Sequence, residues 1–201
     1  MLRLSEVTEE NWQEAASLSV KEEQKGFVAP AVGIIARGYV YRACRGRVFV
    51  LEDDGAAVGL ALVREFTDEP PGYDLQQFMI DRRYQGRGLG SRALELILEE
   101  LRRENRHDHV EVCVKKTDTE AIRLYEKHGF RDSGYVDESV PDALNMIFSL
   151  TEMRHETVYR PAAGNQCQWE KYDTDGRSEN RIRRDGVSER KNSAEQRERG
   201  L

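Results

Sequence analysis

Three cysteines, Cys44, Cys113 and Cys167, are too few and too scattered along 201 residues to make a disulfide framework or a zinc-ligand set. An odd, dispersed set fits thiols kept reduced in the cytosol. Cys113, inside an alternating apolar stretch, reads as a buried filler rather than a nucleophile. No apolar run approaches the roughly 20 residues of a membrane span, and Met1-Leu2-Arg3-Leu4-Ser5-Glu6 has none of a signal peptide's apolar stretch. The expectation is a cytoplasmic chain with no membrane partner. Basic charge is scarce as well. Residues 1–150 hold 20 Lys and Arg against 27 Asp and Glu, and the remaining residues hold 11 against 10. An acidic body argues against a nucleic-acid partner, whose phosphates demand a basic footprint, and favours a cationic substrate. His107-Asp108-His109 reads as a chain leaving a helix and entering a strand, so no metal is expected.

Glycine is concentrated where it matters. The run Ile80-Asp81-Arg82-Arg83-Tyr84-Gln85-Gly86-Arg87-Gly88-Leu89-Gly90-Ser91 reads as a strand end, a turn and a helix start, the helix continuing to about Arg103. Glycines at alternate positions free the backbone to bend and let its N–H groups converge. The helix adds its unpaired amides and the positive end of its dipole, so the turn is a site for a phosphate or pyrophosphate. It is neither a P-loop, which needs Lys-Ser/Thr after the last glycine, nor a dinucleotide fingerprint, whose spacing is Gly-x-Gly-x-x-Gly.

Periodicity supplies the rest of the frame. Leu2–Val7 reads as a strand, and Thr8 caps a helix running to about Lys25. Residues 30–43 read as a second helix, frayed by Gly33 and Gly38. Arg47–Glu52 and Ala56–Phe66 are strands joined by the hairpin signal Asp53-Asp54-Gly55. After the loop Glu69-Pro70-Pro71-Gly72, Tyr73–Ile80 is the next strand. His109–Lys115 is an alternating strand, and Asp118–His128 is a helix closed by Gly129. Phe130–Val136 and Ala143–Leu150 read as two final strands. The expected fold class is α/β (α+β), a mixed, mostly antiparallel sheet flanked by helices. Residues 151–201 have no apolar period of either kind and are expected to form a polar, disordered tail outside the domain of residues 1–150.

Two segments in this order carry a family resemblance. A strand followed by Gln85-x-x-Gly88-x-Gly90 and a helix, then a strand and a helix ending Leu124-Tyr125-Glu126-Lys127-x-Gly129-Phe130, resembles the GNAT superfamily of acetyl-CoA-dependent N-acetyltransferases. Asn11-Trp12, Glu22-Glu23-Gln24-Lys25-Gly26-Phe27-Val28-Ala29, the segment Gln77 to Gly86 and Tyr135 to Ala143 are similar to its spermine/spermidine (diamine) acetyltransferase-like branch.

The resemblance implies acetyl-CoA as co-substrate and a small cationic amine, a polyamine first, as acceptor. An aminoglycoside-like amine, a protein amino group or a silent coenzyme-binding sensor are the alternatives, and a homodimer is a family-level expectation. It places the pyrophosphate on Gln85, Gly86, Arg87, Gly88, Leu89, Gly90 and Ser91, and the pantetheine arm along Phe78, Met79 and Ile80. Asp118 lies near the coenzyme where relatives often have Asn. Tyr125 stands where the family's tyrosine protonates the departing sulfur, while the amine attacks directly in a ternary complex. Glu22, Glu23, Gln76, Asp137 and Glu138 fall where the acceptor binds. Relatives carry a carboxylate on the strand before the glycine turn, whereas this chain has Gln76-Gln77. A general base acting through water is then left open among Asp74, Glu111 and Glu22.

Overall fold

The computed structural model describes residues 1–66 and 70–151. The expected tail, apart from Thr151, lies outside the described residues, as does Cys167. The elements are β1 (Arg3–Glu6), α1 (Trp12–Ser17), α2 (Ala31–Val40), β2 (Arg47–Asp53), β3 (Ala56–Phe66), β4 (Gly72–Ile80), α3 (Leu89–Glu104), β5 (His109–Lys115), α4 (Thr119–Lys127), β6 (Arg131–Asp132) and β7 (Ala143–Ser149). Among the described residues the strands form one seven-stranded sheet in the order β1-β2-β3-β4-β5-β7-β6. Every pairing is antiparallel except β4 with β5, the crossover that α3 makes.

Side-chain alternation divides the core between the two faces of the sheet. Val48 and Val50 of β2, Leu60 and Leu62 of β3 and Met79 of β4 pack with Ala15, Leu18 and Ile34 from the α1 and α2 side. On the other face Phe49, Tyr73, Val110, Val112 and Met146 meet Leu94, Ile97 and Leu101 of α3 and Tyr125 of α4. The apolar stripe of α3 explains its length, and Asn105 in the left-handed region ends it. The β2–β3 turn is the expected tight hairpin, with Asp54 and Gly55 both at positive φ.

Four sequence expectations are corrected. The first helix does not run from Thr8 to Lys25. It is confined to α1, with a separate 3₁₀ turn at Glu22–Gln24. The Asp81 carboxylate accepts the Ser19 N–H at 2.8 Å, and Arg82 N–H donates to the Ser19 carbonyl, so this chain segment is held extended against the end of β4. Thr8 is not the cap either. Asn11 takes that position, and its Oδ1 accepts the Thr8 N–H. Gly38 does not fray α2. A β-carbon there would lie 2.6 Å from the Val48 side chain, so the glycine lets helix and sheet approach closely. The strand expected over Phe130–Val136 shrinks to two residues, because Gly134 turns at positive φ and its N–H donates to Asp132 Oδ1.

A cleft at the parting of two strands

β4 and β5 are in register only at Tyr73 with Val110 and Asp74 with Glu111. Beyond that point they separate, while β4 continues along β3 to Ile80. The β5-facing edge of β4 from Leu75 to Ile80 therefore has no partner strand among the described residues. β4 also carries a bulge. Leu75 pairs with Val63 and Gln77 with Leu62, so Gln76 is the extra residue. The bulge bends β4 where β5 departs, and a cleft of about 270 Å³ opens between them. Phe78 and Ile80 line one wall, Cys113 and Lys115 the other, and Leu124 and Tyr125 of α4 close the far side.

The glycine turn ends this cleft. Gly86 and Gly88 adopt φ of 76° and 74°, which an L side chain rarely takes. Gly88 is the N-cap of α3 and no side chain caps the helix there. The first intrahelical bond runs from Arg92 N–H to the Gly88 carbonyl, leaving the amides of Leu89, Gly90 and Ser91 without intrahelical partners. A β-carbon at Gly90 would meet Leu124 and Ile80 only at ordinary contact distance, so close packing does not demand glycine there.

The residues singled out from the sequence divide into two groups. Gln76, Phe78, Met79, Ile80, Gln85, Gly86, Gly88, Leu89, Gly90, Asp118 and Tyr125 all line the cleft. Arg87 is exposed, its guanidinium 5.4 Å over the Tyr84 ring. Ser91 is in the first turn of α3, with its Oγ 3.0 Å from His128 Nε2 and accepting from Lys127 at 3.3 Å. Glu22 and Glu23 are exposed beside Gln24, and Glu22 pairs with Lys25 at 2.7 Å. Asp137 is buried, accepting from the backbone and hydroxyl of Ser139, and Glu138 is exposed. None of these last four carboxylates lines the cleft.

Several partners lay beyond sequence reasoning. The Gln85 amide does not point free toward a ligand. It donates to the Ile80 carbonyl at 2.9 Å and to Gln24 Oε1 at 2.8 Å, locking the turn to the strand end. Gln77 accepts the Ala29 N–H at 2.8 Å and so ties the start of α2 to β4. Asp81, almost fully buried, accepts from the Ser19 N–H and from both backbone and guanidinium of Arg83. Burial alone would raise its pKa, but these donors outweigh it and hold the carboxyl below its ordinary value. No local pattern announces such contacts, which join residues up to 62 positions apart.

The titratable groups of the cleft are shaped mainly by burial. Burial pushes the Tyr125 phenol well above its usual range, and the Asp118 carboxylate adds to the shift. Its hydroxyl makes no hydrogen bond with a described residue. Asp118 caps α4 by accepting the Ala121 N–H at 3.1 Å, yet burial, joined by Glu120, still leaves its pKa raised. At the base of the splay Asp74 is raised by burial and by Glu111, against the pull of Arg64 at 2.7 Å. His107 packs edge-on to Tyr73 and His109 against Phe66, each within 3.4 Å of a glutamate. Among the described residues no group of side chains could hold a metal ion, and no helix is long and apolar enough to cross a membrane.

This geometry suits an extended, peptide-like ligand with an anionic end. A strand edge offers N–H and C=O groups in series, and an uncapped helix start offers converging amides. Over 93 residues the chain is 32% identical to the spermine/spermidine N(1)-acetyltransferase of Bacillus subtilis (strain 168). That alignment covers 42% of this chain and 59% of the relative, so the match spans under two thirds of the relative's length. The fold is similar to the crystal structure of spermidine N-acetyltransferase from Vibrio cholerae in complex with CoA and spermine. The TM-score is 0.61 at 18% identity, covering 74% of this chain and 95% of that one. It is also similar to the ribosomal-protein-S18-alanine N-acetyltransferase from Escherichia coli, with a TM-score of 0.55 at 22% identity over 80% of this chain and 100% of that one. Residues 5–130 match the acetyltransferase (GNAT) family, and the chain belongs to it.

Proposed function

We propose that this protein is an acetyl-CoA-dependent N-acetyltransferase that acts on a primary amine of a small molecule, polyamines of the spermidine type first. One observation carries the reading. A β4 edge without a partner strand among the described residues leads directly into an uncapped helix N-terminus, with Tyr125 lining the same cleft. The backbone of Phe78 to Ile80 pairs with the amide groups of the pantetheine arm. The free amides from Arg87 to Ser91 hold the pyrophosphate, Gln85 keeps the turn in place, and Arg87 adds charge at the rim.

The amine attacks the thioester directly. A backbone N–H on the Phe78–Ile80 edge donates to the carbonyl oxygen as it gains charge. Tyr125 supplies the proton to the departing sulfur. Like any phenol it is protonated at neutral pH, burial only raising its pKa further, and Asp118 anchors the α4 helix that carries it. The polyamine preference rests on the B. subtilis relative and on the acidic body of the chain. Glu22, Glu23, Asp137 and Glu138 remain the candidates for holding the acceptor's other ammonium groups, with Gln76 at the reacting amine. A second reading, an acceptor other than a polyamine, is favoured by the neutral Gln76 in place of a carboxylate.

Release of free thiol from acetyl-CoA across polyamines, aminoglycosides, amino acids and peptides tests the proposal. Saturable turnover with spermidine or spermine is the expected result. Turnover confined to other amines replaces the acceptor. Saturable coenzyme binding with no turnover makes the protein a sensor.

A further inference from the structure

Among the described residues that line the cleft, Lys115 is the only lysine or arginine. It is half-buried, and its side chain makes no ion pair or hydrogen bond with a described residue. A partly buried ammonium with no carboxylate beside it adds nothing to the fold, so stability does not account for a lysine there. Neighbouring lysines are placed differently. Lys116 is exposed and its Nζ donates to the Pro141 carbonyl at 2.9 Å, while Lys127 is exposed on α4 and donates to Ser91.

Strand geometry sets the level at which Lys115 meets the cleft. It stands four residues past Glu111 on β5, and Met79 stands four past Asp74 on β4 once the bulged Gln76 is discounted. Lys115 therefore comes level with the Phe78–Ile80 edge, on the opposite wall. Alternation sets its side. Val110, Val112 and Val114 turn into the core beneath α3 and α4, so Cys113 and Lys115 leave the other face of β5. From that face Val20 and Val28, which pack with α1 and α2, also line the cleft.

We propose that Lys115 is a self-acetylation site, its ε-amine taking the acetyl group of acetyl-CoA held on the β4 edge of the same cleft. This rests on the N-acetyltransferase reading, from which it takes the donor and its position. A lysine amine on a flexible four-carbon stem needs only a change of rotamer to approach a thioester on the facing wall. Confined there, it reacts as an intramolecular partner and gains the large rate advantage of proximity. The modification would turn the one cation lining the cleft into a neutral amide.

The step balances with the groups at hand. The Lys115 ammonium first gives a proton to water, since only the free amine is a nucleophile. The nitrogen lone pair then forms the N–C bond as the C–S bond breaks. The sulfur takes the Tyr125 proton, and the second proton lost by nitrogen returns to Tyr125 through solvent. No described carboxylate competes for the amine. Asp118 is committed to the Ala121 N–H, and Glu120 is exposed.

Incubation of the full chain with acetyl-CoA and no acceptor, followed by intact mass and peptide mapping, tests the proposal. Calorimetric coenzyme binding is measured on the same preparation. The expected result is one added acetyl group on Lys115, formed at least about tenfold faster than on the exposed Lys21, Lys25, Lys116 or Lys127. Its rate should saturate with acetyl-CoA as coenzyme binding does, and should not change when the protein is diluted tenfold. Lys115→Arg, which keeps the charge, should abolish the fast modification, and Lys116→Arg should leave it in place. Acetylation of Lys115 no faster than of the exposed lysines overturns the inference, as does a rate that falls with dilution. Saturable coenzyme binding and turnover of free amines, with Lys115 unmodified, overturns this inference alone. Absence of coenzyme binding removes the N-acetyltransferase reading together with it, so the two failures are distinguishable.

Discussion

Asp74 and Glu111 are the last residues at which β4 and β5 stand in register, and the cleft begins one residue further along β4. Everything that distinguishes the site follows from that parting. The bulge at Gln76 bends one strand away, the β4 edge from Leu75 to Ile80 is left without a partner strand among the described residues, and the glycine turn lies at its end. The consequences can be measured.

Tyr125→Phe should keep coenzyme affinity within about twofold while lowering turnover by roughly 10²–10⁴-fold, the usual range for a general acid. Calorimetric coenzyme binding and thiol release, run on the same preparation, check the split. Equal losses in both would mean that the ring, not the hydroxyl, is what matters.

Gly88→Ala meets open space but places an L residue at φ 74°. The cost is conformational, about 1–2 kcal/mol. The variant should unfold a few degrees earlier and bind coenzyme more weakly than wild type, since the strain falls on the amides proposed to hold it. Gly59→Ala is a harsher control, because its β-carbon would sit 2.3 Å from the Met79 carbonyl oxygen.

Asp81→Asn should cost roughly 2 kcal/mol at neutral pH, because an amide cannot accept from every donor that now converges on the carboxylate. Asp81 has a depressed folded-state pKa. Its stabilisation is therefore present above the unfolded value near 3.9 and is lost as pH falls through the folded value. Denaturant unfolding of wild type and variant should converge as pH falls below the unfolded value and on through the lower folded one. A gap that persists undiminished in acid would rule out the charged hydrogen bonds as its source.

Gln77→Leu leaves the Ala29 N–H buried without its acceptor, at a cost of about 1–3 kcal/mol. It also frees the Gln76 carbonyl. The expected outcome is a lower melting temperature and faster amide exchange at Ala29, read by hydrogen exchange. Unchanged exchange there would show that the tie does not hold the start of α2.

Much of this protein is written locally. The glycine turn, the long α3 and the Asp118-capped α4 depend on φ constraints, apolar spacing and caps that act within a few residues. Hence sequence analysis located them, and Tyr125 with them. The seven-stranded mixed sheet followed from alternation and hairpin chemistry. Long-range partners decided the rest. α1 is short because Asp81 captures Ser19 from 62 residues away, and the strand after Phe130 ends early because Gly134 turns back toward Asp132. No period in the chain marks Gln76 as a bulge, since a bulge exists only relative to the register of β3. Nor does anything local say that Gln85 holds Ile80 and Gln24 rather than a ligand. Local chemistry determines which segments become helix, strand and turn. Which strand edge is left without a partner among the described residues is settled by contacts between distant segments.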